Sequence, residues 1–597
     1  MSKGVNIGFA AVAAAGVVVA ELVPLPFQTF RVGSIKPSGW FSDEMHAQAQ
    51  GLSGHLDLFY APVRDSPWFD VTKPMNLSKD PLVEDPVYWL NGVVSLGAAI
   101  DDNELQRRVN SHVEYVMAHQ GDDGWLGPLN DPNDWWSRYP FILSLTQYAE
   151  LIPEARSRVG HVMLKFFMLM RKKCAVKSGN FEWDWAGARA HDLILAVHWY
   201  QDHYNVTAQH TKMLQQLNAC LHSKGFDWTK WYTSDFPNAP IPPLNVSKHV
   251  DIRGHMVNNV QAVKYGVVWG RETGQEKDVG LSFKALRKLL AYHGQAMGAV
   301  SGDEYLAGRS PSRGIETCGI VELMFSLEQM LLGTDNDDPR HHYASELLEI
   351  IGFNGLFGAN SGDWWLHPYL QFANTYQGVW DEEHHVWAND GPDAAAWGLD
   401  PNWPCCTANL HQGLPKWLQH AFLLGNSSGN SSNMVDLYSN QFIPSTVKFG
   451  NSTVSLDTDY PASLQPKLVY TIEGNRTSNF TLFIRHPRWA GIEDALNISV
   501  DGVAKNPQAQ EKLYHKVIVS PTVKSIEVSW EQKVVVRKSS GNGFSAYYGN
   551  LLLSAYLGEH ETVQRTYAFG ARDVSLTSML PWNLAIDFST LSDNVSI

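Results

Sequence analysis

Three of the five cysteines in this 597-residue chain fall in two short stretches, Ile315-Glu316-Thr317-Cys318 and Pro404-Cys405-Cys406-Thr407. Cys318, Cys405, Cys406 and Glu316 together make the full inner shell of a tetrahedral zinc site, with soft thiolates on the metal and a carboxylate in the fourth position. Zn2+ is therefore the expected cofactor. Residues two apart, or adjacent, do not share one face of a regular helix, so both pairs are expected on irregular backbone. Ile320, Leu323, Met324, Leu327, Met330 and Leu331 follow a helical period after the first pair, and Leu410, Leu414, Trp417, Leu418 and Phe422 after the second. Each pair thus stands at a helix entrance, where free N–H groups and the positive dipole end favour thiolate and carboxylate. The competing reading is of buried cysteines acting as small hydrophobes, and the spacing is not the CxxC…CxxC pattern that would exclude it.

The elements that must position these residues have two periods. From about residue 80 to 425 the apolar pattern is helical: Leu105, Val109, Val113, Val116 and Met117 form one stripe, and about eleven such segments follow one another. Pairs of helices in this number suit a toroid or a solenoid. After the Gly425-Asn426-Ser427-Ser428-Gly429-Asn430 linker the pattern alternates. Residues 479–484, 496–500, 516–519, 525–530 and 551–556 read as strands, with Asp501-Gly502 as a hairpin turn, which predicts a β-sandwich. The expected organisation is a signal peptide over residues 1–20, a helical catalytic domain over 21–425 and a β-sandwich region over 433–597.

Lys plus Arg number 46 against 61 Asp plus Glu, a net charge of −15, and no basic stripe stands out, so nucleic acid and anionic membranes are poor partners. The 22 Trp and 22 Tyr suit a protein that stacks sugar faces, although much of that content must be core. Lys3, the apolar run from Ile7 to Val19 and Val18-Val19-Ala20 read as a signal peptide, with a membrane anchor as the alternative; no stable span is expected after its removal. Ten N-x-S/T sequons, at Asn76, Asn205, Asn245, Asn426, Asn430, Asn451, Asn475, Asn479, Asn497 and Asn594, favour a secreted, extracellular glycoprotein. In that oxidising setting a metal would protect Cys318, Cys405 and Cys406, while Cys174 and Cys220 suit either a disulfide or two buried thiols. Trp380-Asp381-Glu382-Glu383-His384-His385 reads as a polar loop, with a second metal as the sharper alternative.

Seven motifs carry a family resemblance: Ile35-Lys36-Pro37-Ser38-Gly39-Trp40, Gly51-Leu52-Ser53-Gly54-His55-Leu56-Asp57, Asp123-Gly124-Trp125-Leu126, Gly254-His255, Glu316-Thr317-Cys318, Cys405-Cys406-Thr407-Ala408-Asn409 and Ile484-Arg485-His486-Pro487-Arg488-Trp489-Ala490. The chain resembles the β-L-arabinofuranosidase family, family 127 of the glycoside hydrolases, from about Phe27 to Tyr567. The resemblance implies an (α/α)6 barrel followed by β-sandwich modules, with zinc at the base of a sugar pocket. By position Glu316, Cys318, Cys405 and Cys406 match the zinc ligands and Cys405 the nucleophile. Glu304 matches the general acid/base, and a shorter spacer before Glu316 leaves Asp303 as its rival. The active-site histidines fall on His191 and His255. Phe372 stands where relatives carry a tyrosine, which makes Tyr376 the candidate substitute, and Trp403 stands where they carry a further cysteine.

The implied function is a retaining glycosidase, exo-acting on β-L-arabinofuranosides or a related sugar of plant or microbial glycans. A non-catalytic glycan-binding protein with structural zinc is the alternative. A polysaccharide lyase would share the toroid without needing three thiolates.

Overall fold

The helices of the first part sort by burial into two rings. Every residue of Asp85–Ala99 is buried, as are nearly all of Arg138–Leu151 and Thr317–Leu332. Asn103–Ala118 buries only the stripe Leu105, Val109, Val113, Val116 and Met117. A helix apolar all round must be enclosed, whereas an amphipathic one covers it from outside. The inner ring runs Asp85–Ala99, Arg138–Leu151, Ala190–His203, Met256–Gln261 with Tyr265–Thr273, Thr317–Leu332, and Pro404–Asn409 with Gly413–Gln419. Each packs on the next, and the last closes on the first. Outside lie Gly39–Gln50, Asn103–Ala118, Arg156–Ala175, Ala208–Lys224, Glu276–His293 and Pro339–Ile351. Closure is tight at Gly92, where a Cβ would stand 2.5 Å from the His411 backbone, so only glycine lets these two helices approach. The toroid is the (α/α)6 barrel expected from the motifs.

This architecture comes from a computed structural model that describes residues 21–73, 83–128, 134–176, 185–237, 252–382, 390–425, 436–487, 496–505, 513–538 and 543–582. The expected signal peptide, the linker after Gly425 and the Glu383-His384-His385 run lie outside those residues. Among the described residues no helix is long and apolar enough to cross a membrane.

The second part is a sandwich of two sheets. Lys467–Glu473 and Ser452–Asp457 alternate buried and solvent-facing residues, as strands covered on one face do. A hydrogen bond of 2.8 Å between Ser439 Oγ and Tyr470 OH links the sheets. The two parts interlace. Phe27–Thr29 pairs with Phe422–Gly425 and Ile35–Pro37 with Ser445–Phe449, so N-terminal residues complete both sandwich sheets. The hairpin Glu559–Thr566 and Arg572–Ser578 returns to the barrel, pairing Val574 with Trp397 and Leu576 with Gly378. Between the parts Arg485 Nη2 meets Glu349 Oε1 at 2.6 Å with both side chains fully buried.

A small four-stranded sheet stands apart from the sandwich. Its order is Tyr305–Leu306, Gly302–Asp303, Gly314–Glu316 and Leu370–Phe372, with Gly302 beside Ile315 and Glu316 opposite Leu370. That register gathers Glu304, Glu316 and Tyr369.

Candidate active site

Glu316 ends its strand and stands at the N-cap position of Thr317–Leu332, with Cys318 in the first turn; Cys405 and Cys406 occupy the first turn of Pro404–Asn409. Both pairs are therefore at helix entrances, as the period implied. The second pair is helical and not irregular. Neighbouring residues diverge by about 100° around a helix, yet both can face one point lying off its end. One ligand atom from each of Glu316, Cys318, Cys405 and Cys406 lies within 4.8 Å of all the others. The Cys318 N–H lies 3.3 Å from Cys406 Sγ, and Cys405 Sγ lies 3.9 Å from Glu316 Oε1.

These groups fit a metal. Burial pushes the Cys318 and Cys406 thiols and the Glu316 carboxyl well up, while the neighbouring Cys318 thiol pushes Cys405 up. Glu316 Oε2 is buried without a protein partner. A cation would remove the penalty on all four at once, and three thiols with one carboxylate are the donor set that suits zinc.

Glu304 stands next to this group, in the left-handed backbone region at φ 69°, a conformation costly for a non-glycine residue and common where side chains are aimed for function. His255 caps Met256–Gln261 through its ring: Nδ1 accepts the Asn258 N–H at 3.3 Å. Burial holds the imidazole below its ordinary value, so the ring is neutral and its proton is assigned to Nε2, which donates to Glu304 Oε2 at 3.3 Å. The Tyr369 hydroxyl donates to Glu304 Oε1 and lies 3.9 Å from Cys405 Sγ. Burial pushes the Glu304 carboxyl up, and the hydrogen bonds from His255 and Tyr369 oppose that rise.

Asp303, the rival of Glu304, is tied in an ion pair to Arg313. Glu304 is the turn residue between Gly302–Asp303 and Tyr305–Leu306, and its left-handed backbone gives it partners different from those of Asp303. His191 also departs from expectation. It packs edge-on to Tyr265 at 6.2 Å and lines a small cavity with Leu221, His222, Phe226, Trp228 and Tyr265. The residue of this segment that reaches the His255 group is Arg189, at the N-cap position of Ala190–His203. Its Nε donates to Asn258 Oδ1 at 2.8 Å, and its guanidinium lies 4.2 Å from the Trp136 ring and 4.9 Å from Trp185, which in turn meets His255 at 4.7 Å. Tyr376 is 44% exposed and stacks on Trp582 at 5.0 Å, whereas Tyr369 is the tyrosine that meets Glu304 and Cys405. Trp380 is exposed and its indole N–H reaches Glu382 at 3.1 Å.

Sequence reasoning missed Tyr369, Arg189 and Asp390. Asp390 is buried, accepts from Asn402 Nδ2 at 2.9 Å, and burial followed by the charge of Glu304 pushes its carboxyl well up. Tyr369 stands between the short strands His367–Pro368 and Leu370–Phe372 with no sequence period to single it out. Nothing local marked the other two either.

Residues 436–533 match the family described as Beta-L-arabinofuranosidase, GH127 middle domain. Among solved structures, a protein titled "Glycoside hydrolase" superposes with a TM-score of 0.65 at 13% identity, covering 93% of this chain and 95% of that one. A GH127 β-L-arabinofuranosidase from Geobacillus stearothermophilus T6 gives 0.61 at 12% identity over 91% of this chain and 97% of its own. A further GH127 β-arabinofuranosidase gives 0.61 at 13% identity, over 93% and 95%. A stretch of the chain thus matches family 127 by sequence, and the chain as a whole shares the fold of solved family 127 proteins. No curated protein gives a match. The family 127 match by sequence falls in the sandwich, while over the barrel that carries the site the likeness is one of fold.

Proposed function

We propose that this protein is a retaining glycoside hydrolase of family 127 that removes arabinofuranosyl or closely related units from a glycan, with Cys405 as nucleophile and Glu304 as acid/base. The observation that carries the reading is the Tyr369 hydroxyl, hydrogen-bonded to Glu304 and 3.9 Å from Cys405 Sγ. One side chain spans the two groups, so both can reach a single anomeric carbon.

Glu316, Cys318, Cys405 and Cys406 would hold zinc, which when bound supplies the positive charge that lets buried thiols exist as thiolates near neutral pH. Cys318 and Cys406 are almost fully enclosed whereas Cys405 is only partly buried, so Cys405 is the thiol a sugar can meet. Its sulfur attacks the anomeric carbon as Glu304 delivers a proton to the departing oxygen; a C–S bond forms and the glycosidic C–O bond breaks. Glu304, now a carboxylate, takes a proton from water, whose oxygen displaces the sulfur. Two inversions restore the original configuration. His255, fixed in one tautomer, and Tyr369 hold Glu304 in place and offer polar groups to sugar hydroxyls.

We also infer that the protein is secreted and glycosylated. Asn205, Asn451, Asn475, Asn479 and Asn497, the sequon asparagines among the described residues, are all exposed. Cys174 and Cys220 form a disulfide, as suits an oxidising compartment.

The test is zinc content of the purified protein together with release of p-nitrophenol from a panel of furanosides and pyranosides, with Cys405→Ser as control. Cys405-dependent release from an arabinofuranoside supports the reading. Bound zinc without turnover of any glycoside would point instead to a glycan-binding protein that keeps the metal for structure.

A further inference from the structure

The four metal-binding side chains come from two separate helices, and nothing in a four-residue cluster fixes the distance between the helices that carry it. Behind the thiols lies a buried polar group that the proposed chemistry does not use. Glu322, one turn beyond Cys318 on Thr317–Leu332, is buried, and its Oε1 accepts Asn409 Nδ2 at 3.0 Å and Gln412 Nε2 at 3.1 Å. Asn409 ends the short helix of Cys405 and Cys406, three residues after Cys406. Gln412 is anchored further: its Oε1 accepts Lys416 Nζ at 2.6 Å, and Asn91 and Gln147 continue the chain of amides into the neighbouring inner helices. Glu322, Asn409 and Gln412 are all at most 3% exposed, so no water competes for these bonds.

We propose that Glu322 is a positioning residue, a carboxylate clamp that sets the separation between Cys318 on one helix and Cys405 and Cys406 on the other through Asn409 and Gln412. The proposal rests on the reading of the four residues as a metal site. Pro404–Asn409 spans six residues, too short to be stable alone, and it must be held by its surroundings. Buried polar groups are costly unless fully paired, and once paired they favour one arrangement over others of similar packing. Here that arrangement is the one in which the Cys318 N–H meets Cys406 Sγ at 3.3 Å. A core built only of apolar contacts would let the short helix slide by fractions of an ångström, which a four-coordinate site registers strongly. Glu322 touches none of the four ligand atoms in the hydrogen-bond network and acts on them through the backbone that carries them.

The experiment compares wild-type protein with Glu322→Ala, Glu322→Gln and Asn409→Ala, using Co2+ as a probe of the site. Metal affinity is read by titration and geometry by the thiolate-to-cobalt charge-transfer band. Glu322→Ala and Asn409→Ala are expected to bind Co2+ about 10- to 100-fold more weakly, with an altered band, as changes to residues supporting metal ligands commonly do. Glu322→Gln keeps an acceptor oxygen and should recover most of the affinity. A metal-free readout runs beside it: trapping of Cys318 with Cys405 or Cys406 as a disulfide by diamide in chelator-treated protein, expected to slow in Glu322→Ala and Asn409→Ala. Should Glu322→Ala fail to fold, Asn409→Ala carries the same comparison. Wild-type affinity, band shape and trapping rate in the folded variants would overturn the clamp, even if their melting temperatures fell. A wild-type chain that takes up no metal, with slower trapping in the variants, would defeat the metal reading and keep the clamp.

Discussion

The backbone N–H of Cys318 lies 3.3 Å from Sγ of Cys406, a residue 88 positions further along the chain. The two halves of the thiol cluster are thus brought together by the fold, and a metal entering the site finds its donors already assembled. Preorganisation of this kind reduces the ordering that binding would otherwise require.

The state of the cysteines follows directly. Of the five, Cys174 and Cys220 are bonded and Cys318, Cys405 and Cys406 are free, so denatured, unreduced protein treated with a chelator should give three thiols with Ellman's reagent and reduced protein five. Native metal-loaded protein should react slowly, and chelation should speed the reaction. Five thiols without reduction would contradict the disulfide.

Removing the proposed nucleophile should be the most damaging change to activity. Cys405→Ser is expected to lower kcat by at least about a thousandfold, since serine lacks an accessible anion. Glu304→Gln should cost about 100- to 10,000-fold, and less for a nitrophenolate leaving group, which departs without a proton, than for an alkyl glycoside. Near wild-type turnover of both variants would remove the mechanism.

Tyr369→Phe should shift the pH profile. The hydroxyl stabilises the charged form of Glu304, so its loss lets the carboxyl rise, and the alkaline limb of kcat/KM, where Glu304 loses the proton it must donate, should move to higher pH, by roughly one unit for each ~1.4 kcal/mol of lost interaction. An unmoved limb would show that this hydrogen bond has no hold on the titration of the active enzyme.

Stability should depend on one buried pair between barrel and sandwich. Burial pushes the Glu349 carboxyl up, against the pull of Arg485; Phe442 N–H and the Tyr460 hydroxyl also donate to it, at 2.7 and 3.2 Å. Arg485→Ala leaves this carboxylate buried without its cation and should cost about 3–5 kcal/mol in denaturant melts. Because the uncharged acid is cheaper to bury, the loss should shrink as pH falls. A cost independent of pH would point to lost packing of the arginine stem.

The helical half, the alternating half and the helix entrances at Cys318 and Cys405 were legible in the sequence, because burial on one face of a helix or strand leaves a period that local order preserves. The donor types and the family motifs likewise marked Glu316, Cys318, Cys405, Cys406, His255 and Glu304. What only the tertiary structure decided was which of the neighbouring polar residues face the cluster. The strands around Glu304 and Tyr369 are two or three residues long and carry no period, and the left-handed turn at Glu304 brings it to His255 and Tyr369 while Asp303 pairs with Arg313. That Arg189 and Tyr369 lie beside the cluster, while His191 and Tyr376 lie elsewhere, follows from how helix and sheet ends meet across the barrel. That meeting depends on contacts between residues far apart in the chain, for which a linear sequence holds no local signal.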